Sequence, residues 1–259
     1  MRVLSAFLIT AAVLGSCTTK QKMTDTTKTV KTTTIKTPEI TDPKLTEVWE
    51  PEPAAVTTSV GTAPSDAVVL FDGSDLSNWV HYDGSPAQWV VVDGNVTVKP
   101  GTGDIKTKEI YGDVQLHVEW KSPDEPDRTG QDKGNSGVFL QRRYEVQVLN
   151  SYQNRTYSNG QAGAIYKQYP PLVNATSPTG QWNTYDIIFH APIFDGDQMV
   201  KKGTLTVLHN GVLIQDHAEL QGTTEYIGPP KVVAHGDDHI VLQDHSNEVS
   251  YRNIWLRKL

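Results

Sequence analysis

The chain has 259 residues, which is long enough for one large all-β domain with accessory segments. Its formal net charge of −7 excludes the strongly basic surface that nucleic-acid binding requires. The single cysteine, Cys17, rules out an intramolecular disulfide, so core packing must stabilise the folded part.

The N-terminus has the layout of an export signal. Met1 and Arg2 give a positive start, residues 3–14 form a short apolar run, and Leu14-Gly15-Ser16-Cys17 ends it. The run is shorter than the about 20 residues that span a bilayer. Residues 1–17 resemble a bacterial lipoprotein signal peptide with its lipobox, which implies lipidation of Cys17 and anchoring in the cell envelope, at the periplasm or outer membrane. A plain secretory peptide with an incidental cysteine is the alternative.

The next segment, residues 18–65, is rich in Thr, Lys and Pro and poor in large apolar residues. Such a composition buries too little surface to offset the entropy of ordering. The sequence therefore predicts a disordered linker, followed by a folded domain over residues 66–259.

Short strand-like segments with Gly and Pro punctuation fill this domain, and helical periodicity is almost absent. Asp93-Gly94 and Asn210-Gly211 lie between such segments, as in β-hairpins. The pattern predicts an all-β fold, a sandwich or jelly roll of two antiparallel sheets. The predicted strands cover residues 67–71, 88–92, 95–99, 114–121, 185–190, 204–209, 212–217, 239–245 and 250–257, with two more between Asn135 and Asn150.

The stretch between Asn135 and Asn150 is the most informative. The even-numbered residues 144–148 are large and apolar, as in a sandwich core. Glu145, Gln147 and Leu149 occupy the other face, where a carboxylate and an amide stand side by side as a sugar-binding groove requires. Alternation likewise places Gln243 with His245 and separates Arg252 from Tyr251, so polar side chains of three strands are expected to line one concave sheet.

Several short motifs are spread across residues 66–259. They are Leu70–Gly73 (LFDG), Leu76–Trp79 (LSNW), Trp89–Gly94 (WVVVDG), Tyr111–Lys121 (YGDVQLHVEWK), Gly134–Gly137 (GNSG), Tyr144–Val148 (YEVQV), Leu242–His245 (LQDH) and Tyr251–Trp255 (YRNIW). In their order and spacing, these motifs together resemble the 3-keto-disaccharide hydrolase-like domain family.

This resemblance implies a concanavalin-like β-jelly-roll acting on glycosides whose C3 hydroxyl is oxidised to a ketone. Members are described as hydrolases, and similar proteins as lyases that eliminate the aglycone across C1–C2. The conventional pair of glycosidase carboxylates is not evident, because amides occupy residues 147 and 150 of Glu145–Asn150, where acids would be needed.

A 3-keto sugar needs only one base, since the ketone acidifies the proton on C2. Glu145 is the predicted base, and His245 is the predicted acid or second base. Arg252 or a bound divalent metal ion would hold the enediolate oxygen. Hydroxyls would be oriented by Asn135, Gln147 and Gln243, and sugar rings would stack on the loop aromatics Tyr166 and Trp182.

The sequence leaves the cofactor open: no cofactor is certain, and a divalent metal ion is one option. His235-Gly236-Asp237-Asp238-His239 matches no standard metal spacing. The expected partners are an oxidised sugar or glycoside and, through the lipid anchor, a membrane, but no nucleic acid. A non-catalytic carbohydrate-binding module and a structural lipoprotein with a vestigial groove are the alternative functions.

Overall fold

The computed structural model describes residues 41–259. The predicted signal peptide, Cys17 and the linker up to residue 40 lie outside this range. The described chain falls into two compact units, residues 41–53 and Ala54–Leu259. The first holds the 3-10 helix Pro43–Thr46, and the second also takes in residues 54–65, which the sequence assigned to the linker. Within residues 41–259, no helix is long and apolar enough to cross a membrane.

The larger unit is built from strands, with 3-10 helices at Gly130–Asp132 and Ser158–Gly160. In chain order the strands are β1 (Val68–Phe71), β2 (Trp79–Val80), β3 (Val90–Val92), β4 (Asn95–Thr97), β5 (Ile105–Thr107), β6 (Val114–Lys121), β7 (Ser136–Leu140), β8 (Tyr144–Val148), β9 (Asn183–His190), β10 (Ile193–Asp195), β11 (Gln198–Lys201), β12 (Thr204–His209), β13 (Val212–Glu219), β14 (Val241–Leu242) and β15 (Ser250–Lys258).

These strands form two main antiparallel sheets. The larger sheet has eight strands in the order β13-β12-β9-β6-β15-β4-β3, with β1 also pairing with β15. The smaller sheet has five strands in the order β2-β5-β14-β7-β8, and β10 pairs with β11 in a separate ribbon. The prediction of an all-β jelly roll of antiparallel sheets is confirmed.

Local sequence explains the hairpins and the strand faces. Asp93 and Gly94 both have positive φ values, 51° and 74°, and Asn210 and Gly211 have 52° and 76°. Two consecutive positive φ values are the mark of a type I′ turn, whose twist suits a tight hairpin. Along β6, buried and half-buried residues alternate without a break, as the sequence predicted.

The hydrophobic core lies between the two sheets, and tyrosine hydroxyl groups form hydrogen bonds across it from one sheet to the other. Tyr144 of β8 packs against Phe189 of β9, with ring centroids 5.9 Å apart. The Tyr185 hydroxyl donates to the Gln147 carbonyl oxygen at 2.8 Å, and the Tyr251 hydroxyl donates to Ser136 Oγ at 2.6 Å. Residues of opposite parity on these strands therefore face away from the core, on the two outer surfaces of the sandwich.

The strand boundaries differ from the prediction in identifiable places. The predicted strand over residues 239–245 is paired only at Val241–Leu242, and the chain then turns away. The strands β2, β5, β10 and β11 were missed, since two to four residues give too little periodicity to recognise. Leu149 was placed on the open face, but it follows the end of β8 and is buried in the core.

Candidate functional site

A cleft of about 260 Å³ opens on the outer face of the five-stranded sheet. Strands β7 and β8 and the segment after β14 form its floor, and two loops form its walls. The lining residues are Asn135, Phe139, Glu145, Gln147, Tyr166, Thr224, Tyr226, Gln243 and His245.

The floor follows from strand register. Gly137 is paired with Gln147 on β8, and on its other side its carbonyl oxygen accepts a hydrogen bond of 3.1 Å from the Gln243 backbone N–H. Phe139 is paired with Glu145 in the next row. Side chains two residues apart on a strand share a face, so these groups project together. Gly137 thus lies between Gln147 of β8 and Gln243, which follows β14.

Gly137 leaves the space that the Glu145 carboxyl group occupies. A Cβ atom at residue 137 would lie 2.7 Å from Glu145 Oε1 and 2.8 Å from a ring carbon of Phe139. Contacts this short do not occur for real Cβ atoms, so any side chain here would displace the carboxyl group.

The Glu145 side chain is nearly removed from solvent, with 4% of the residue exposed. Burial, and to a smaller extent the nearby charge of Asp104, raise the pKa of this carboxyl group to about 8. At neutral pH the group is therefore mostly protonated, and its ionised form is a stronger base than an ordinary carboxylate. Such a pKa suits a general base or acid working near pH 7–8.

His245 is held at the cleft mouth by a turn fixed to the loop before β5. The Asp244 carboxylate accepts hydrogen bonds from the Gly103 and Ser246 backbone N–H groups at 3.0 and 2.9 Å. The Asp244 backbone N–H donates to Asp104 Oδ1 at 2.8 Å. The backbone of His245 is thus held in place, while its exposed imidazole faces solvent and the cleft.

From below, the Gln243 segment is tied to the core. Ser136 Oγ donates to the Gln243 carbonyl oxygen at 2.5 Å and itself accepts the bond from Tyr251. A chain of hydroxyls therefore runs from the larger sheet, through the core, to the backbone that carries Gln243.

Three amides of the cleft carry a buried side-chain oxygen that accepts no hydrogen bond from any described residue: Asn135 Oδ1, Gln147 Oε1 and Gln243 Oε1. Buried acceptors are normally satisfied, so several unpaired ones in a single cleft indicate a ligand rich in donors. Sugar hydroxyls are such donors.

Aromatic side chains form the walls. Tyr166 is buried, and its hydroxyl lies 2.6 Å from the Tyr157 hydroxyl. Tyr226 lies in a neighbouring loop, which is joined to the Tyr166 segment by a hydrogen bond from Lys167 Nζ to the Tyr226 carbonyl oxygen, and is largely exposed. In the same loop, Thr224 Oγ1 accepts a 3.1 Å hydrogen bond from the Glu145 backbone N–H, which ties this loop to β8.

The structure brings most of the residues predicted from sequence into this one cleft. Glu145, His245, Asn135, Gln147, Gln243 and Tyr166 all line it. Their individual roles stay predictions.

Arg252 and Trp182 lie elsewhere, which corrects their grouping with the cleft. Because Tyr251 points into the core from β15 of the larger sheet, Arg252 faces the opposite outer surface of the sandwich. There it donates to Glu119 Oε2 at 2.6 Å, and its guanidinium group lies 4.1 Å from the centre of the Trp182 ring. Alternation gave the correct face for Glu145, Gln147 and Arg252 but not which sheet each strand joins.

Sequence reasoning missed Phe139, Thr224, Tyr226 and the neighbouring Asp104. Phe139 sits on the same strand face as Gly137, so alternation alone could have found it. The other three lie in irregular segments, where no periodicity indicates which side chains turn toward the cleft.

The histidines of the 235–239 segment have partners other than each other. His235 Nε2 lies 2.7 Å from the Tyr144 hydroxyl, and His239 Nε2 lies 3.1 Å from Lys106 Nζ. Across residues 41–259, no three His, Cys, Asp or Glu side chains are grouped to hold a metal ion. Apart from the Glu145 carboxyl group, the side-chain oxygen atoms of the cleft lining belong to amides and hydroxyl groups.

A jelly roll with an open, amide-rich cleft and aromatic walls is typical of carbohydrate-active proteins. The chain belongs to the family of the 3-keto-alpha-glucoside-1,2-lyase-like domain, whose family model matches residues 66–257. This confirms the family recognised from the sequence motifs.

Solved structures agree with the assignment. A protein from Parabacteroides distasonis ATCC 8503, described as a "putative glycosyl hydrolase", is 49% identical, with a TM-score of 0.81, over 84% of this chain and 97% of its own. A second protein from that organism, described in the same words, is 22% identical, with a TM-score of 0.55, over 75% of this chain and 94% of its own, and shows the fold alone. None of the curated proteins matches this chain. Together the family and the first relative support a glycoside-acting, carbohydrate-active domain.

The burial of Glu145 predicts how stability depends on pH. A folded-state pKa of about 8, above the unfolded value near 4.5, contributes stability that is complete below pH 4.5 and is lost as pH rises through 8. Glu145→Gln removes this loss, so the variant should gain stability relative to the unaltered protein between pH 5 and pH 9. We expect a relative gain of at least about 1 kcal/mol, or roughly 2–4 °C in Tm.

Thermal unfolding of both proteins across this pH range tests the expectation. Taking the difference between the two proteins removes the contributions of titrating groups that do not interact with Glu145. The difference includes the interaction with Asp104, whose pKa is also raised by burial. Parallel Tm curves for the two proteins would show that Glu145 is not desolvated.

Proposed function

We propose that this protein is an enzyme that cleaves 3-keto-glycosides, with Glu145 removing the C2 proton and the aglycone leaving from C1. The proposal rests on one observation: Glu145 is the only carboxylate among the residues that line the cleft. Hydrolysis of an ordinary glycoside needs two carboxyl groups across the scissile bond. A ketone at C3 removes that need, because one base is sufficient to begin elimination.

The first step is proton transfer from C2 to the Glu145 carboxylate. The electron pair of the C2–H bond forms a C2–C3 double bond, and the electrons of the C3 carbonyl group move to its oxygen. The result is an enediolate whose negative charge rests on the C3 oxygen. The raised pKa of Glu145 makes the carboxylate a stronger proton acceptor, although only roughly one molecule in ten is ionised at pH 7. The lack of a charge-neutralising partner keeps the carboxylate reactive.

The second step is loss of the aglycone. The enediolate electrons form the C1–C2 double bond as the C1–O bond breaks, and His245 protonates the departing oxygen. The product is a 1,2-unsaturated 3-keto sugar. Addition of water across that bond, with oxygen to C1 and a proton to C2, gives the net products of hydrolysis.

The enediolate oxygen needs a donor in the cleft, and Arg252 is on the other side of the sandwich. The side-chain NH₂ group of Gln243 can supply this donor, because Gln243 lies beside Gly137 and lines the cleft, whereas the Gln147 NH₂ group donates to Gln131. A divalent metal ion is the other source of stabilisation that the sequence left open.

NMR spectroscopy in deuterated water tests the proposed reaction. We expect the protein to release the aglycone from a 3-keto-glucoside and the C2 proton signal to disappear. Glu145→Gln should lower the rate at least about 1000-fold, because it removes the base without changing the shape of the cleft. Aglycone release with retention of the C2 proton would contradict proton abstraction.

A non-catalytic carbohydrate-binding module is the rival function. Its cleft would bind the same sugars, and Glu145→Gln and His245→Ala would change affinity without any turnover to lose. Absence of aglycone release from every 3-keto-glycoside tested, with binding retained, would favour the rival.

The notch at Gly137 gives a second test. Gly137→Ala should displace the Glu145 carboxyl group and lower kcat/KM at least about tenfold, since small misplacements of a catalytic group are costly. Gly236→Ala is the matched control, because a Cβ atom there meets nothing within 4 Å and the φ value is not positive. Full activity of Gly137→Ala would refute the assigned position of the base.

We also propose that Cys17 is lipidated and anchors the protein in the cell envelope. The support is the sequence alone: a positive start, a short apolar run, and the single cysteine directly after Leu14-Gly15-Ser16. Mass spectrometry of the protein isolated from its cells should find an acylated Cys17 as the first residue, and Cys17→Ser should be released from membranes. A mature N-terminus elsewhere would contradict the proposal.

A further inference from the structure

A residue outside the cleft lining orients two of the amides that line the cleft. This residue, Gln131, lies in the 3-10 helix Gly130–Asp132, next to Gln147. Its side-chain NH₂ group donates to the Gly160 carbonyl oxygen at 2.8 Å and to Thr156 Oγ1 at 3.1 Å. A carbonyl oxygen can only accept, so the Gly160 contact fixes which end of the Gln131 amide points where.

The orientation of Gln131 passes to Gln147. With its NH₂ group committed to Gly160, Gln131 presents Oε1 to the floor, where it accepts a 3.1 Å hydrogen bond from Gln147 Nε2. Gln147 must therefore turn its own Oε1 away from Gln131. That oxygen is buried and has no partner among the described residues, while only 1% of Gln147 is exposed.

Asn135 is oriented by the same residue through the backbone. Its Nδ2 donates to the Gln131 carbonyl oxygen at 2.7 Å, which leaves Asn135 Oδ1 buried and unpaired as well. Its backbone is held too, because the Asn135 N–H donates to Asn247 Oδ1 at 2.5 Å. Two residues of the cleft thus present acceptors, not donors, and neither amide can rotate without breaking a hydrogen bond to Gln131.

We propose that Gln131 is a positioning residue that makes the cleft selective for a sugar with free hydroxyl groups. The Asn135 and Gln147 oxygens each accept a hydrogen bond from one hydroxyl of the keto-sugar ring. The inference rests on the proposed function for the identity of the sugar. It goes beyond that function by naming the contacts that select the ring.

An unpaired buried acceptor makes this selection strong. When the ligand lacks the hydroxyl, the amide oxygen stays desolvated without a partner, and the penalty falls on binding and on the transition state. We therefore expect a 3-keto-glucoside lacking one contacted hydroxyl to react about 10- to 100-fold more slowly in kcat/KM than the parent compound.

The test compares the parent 3-keto-glucoside with its 2-, 4- and 6-deoxy analogues. Gln147→Met removes the acceptor at nearly constant size, so its discrimination against one deoxy analogue should fall to about twofold or less. Asn135→Ala should lose discrimination at a different position. Gln131→Met frees the Gln147 amide to rotate and should weaken discrimination at the Gln147 position, while Asn135, held by the Gln131 backbone carbonyl oxygen, should keep discrimination at its own position.

The control is Gln215→Met. Gln215 is 3% exposed, and its side-chain NH₂ group donates to the Gly163 and Pro170 carbonyl oxygens, but it does not line the cleft. This variant should lower Tm by an amount similar to Gln131→Met and leave the discrimination unchanged. If Gln131→Met also keeps full discrimination at the Gln147 position, the Gln131 side chain has only a structural role and the inference is wrong.

Binding separates this inference from the proposed reaction. NMR titration with the unoxidised parent glucoside and its deoxy analogues ranks the same variants without any turnover. If the unaltered protein binds parent and deoxy sugars equally, the inference fails even where 3-keto-glycosides are cleaved. If the ranking follows Asn135, Gln147 and Gln131 but no keto-sugar reacts, the inference holds and the proposed reaction fails.

Discussion

The site depends on one constraint: a single carboxyl group is held away from water in a notch that only a glycine provides. Glu145 is paired with Phe139 on β7, and its side chain extends diagonally to Gly137, two residues away on the same strand. The Phe139 ring also lies beside this space. Any larger residue at 137 would fill the notch, and any nearby cation would lower the pKa of the carboxyl group. Its burial, its raised pKa and its central place in the cleft all follow from this packing.

The two sheets of the sandwich have different outer faces, and only the outer face of the smaller sheet carries the cleft. Alternation on β7 and β8 places most of the large apolar residues in the core and leaves the outer face of the smaller sheet to Phe139 and polar side chains. The larger sheet presents a different outer face, where Arg252 contacts both Glu119 and Trp182. The cation that the sequence placed beside the base is thereby kept on the far side of the molecule.

The sequence was sufficient to predict which side of a strand a residue faces, but not which strands pair with one another. The positions of Glu145 and Gln147 on the open side of β8 could be predicted, because alternation within one strand depends only on local geometry. The pairing of β15 with β6, rather than with β14, is a long-range property that no local pattern encodes. Thr224 and Tyr226 escaped for a related reason: irregular loops have no period, and their direction is set by contacts distant in sequence.

The hydroxyl chain from Tyr251 through Ser136 to the Gln243 backbone joins residues separated by more than 100 positions. The cleft cannot be assembled before the two sheets have docked, because part of its floor is fastened from the opposite sheet. Selection on the core and selection on the cleft are consequently linked. A substitution at buried Tyr251 would alter the hydrogen bonds that hold the Gln243–His245 segment, although Tyr251 does not itself line the cleft. An apolar replacement that preserves the stability of the core would therefore also be selected for or against by its effect on the cleft.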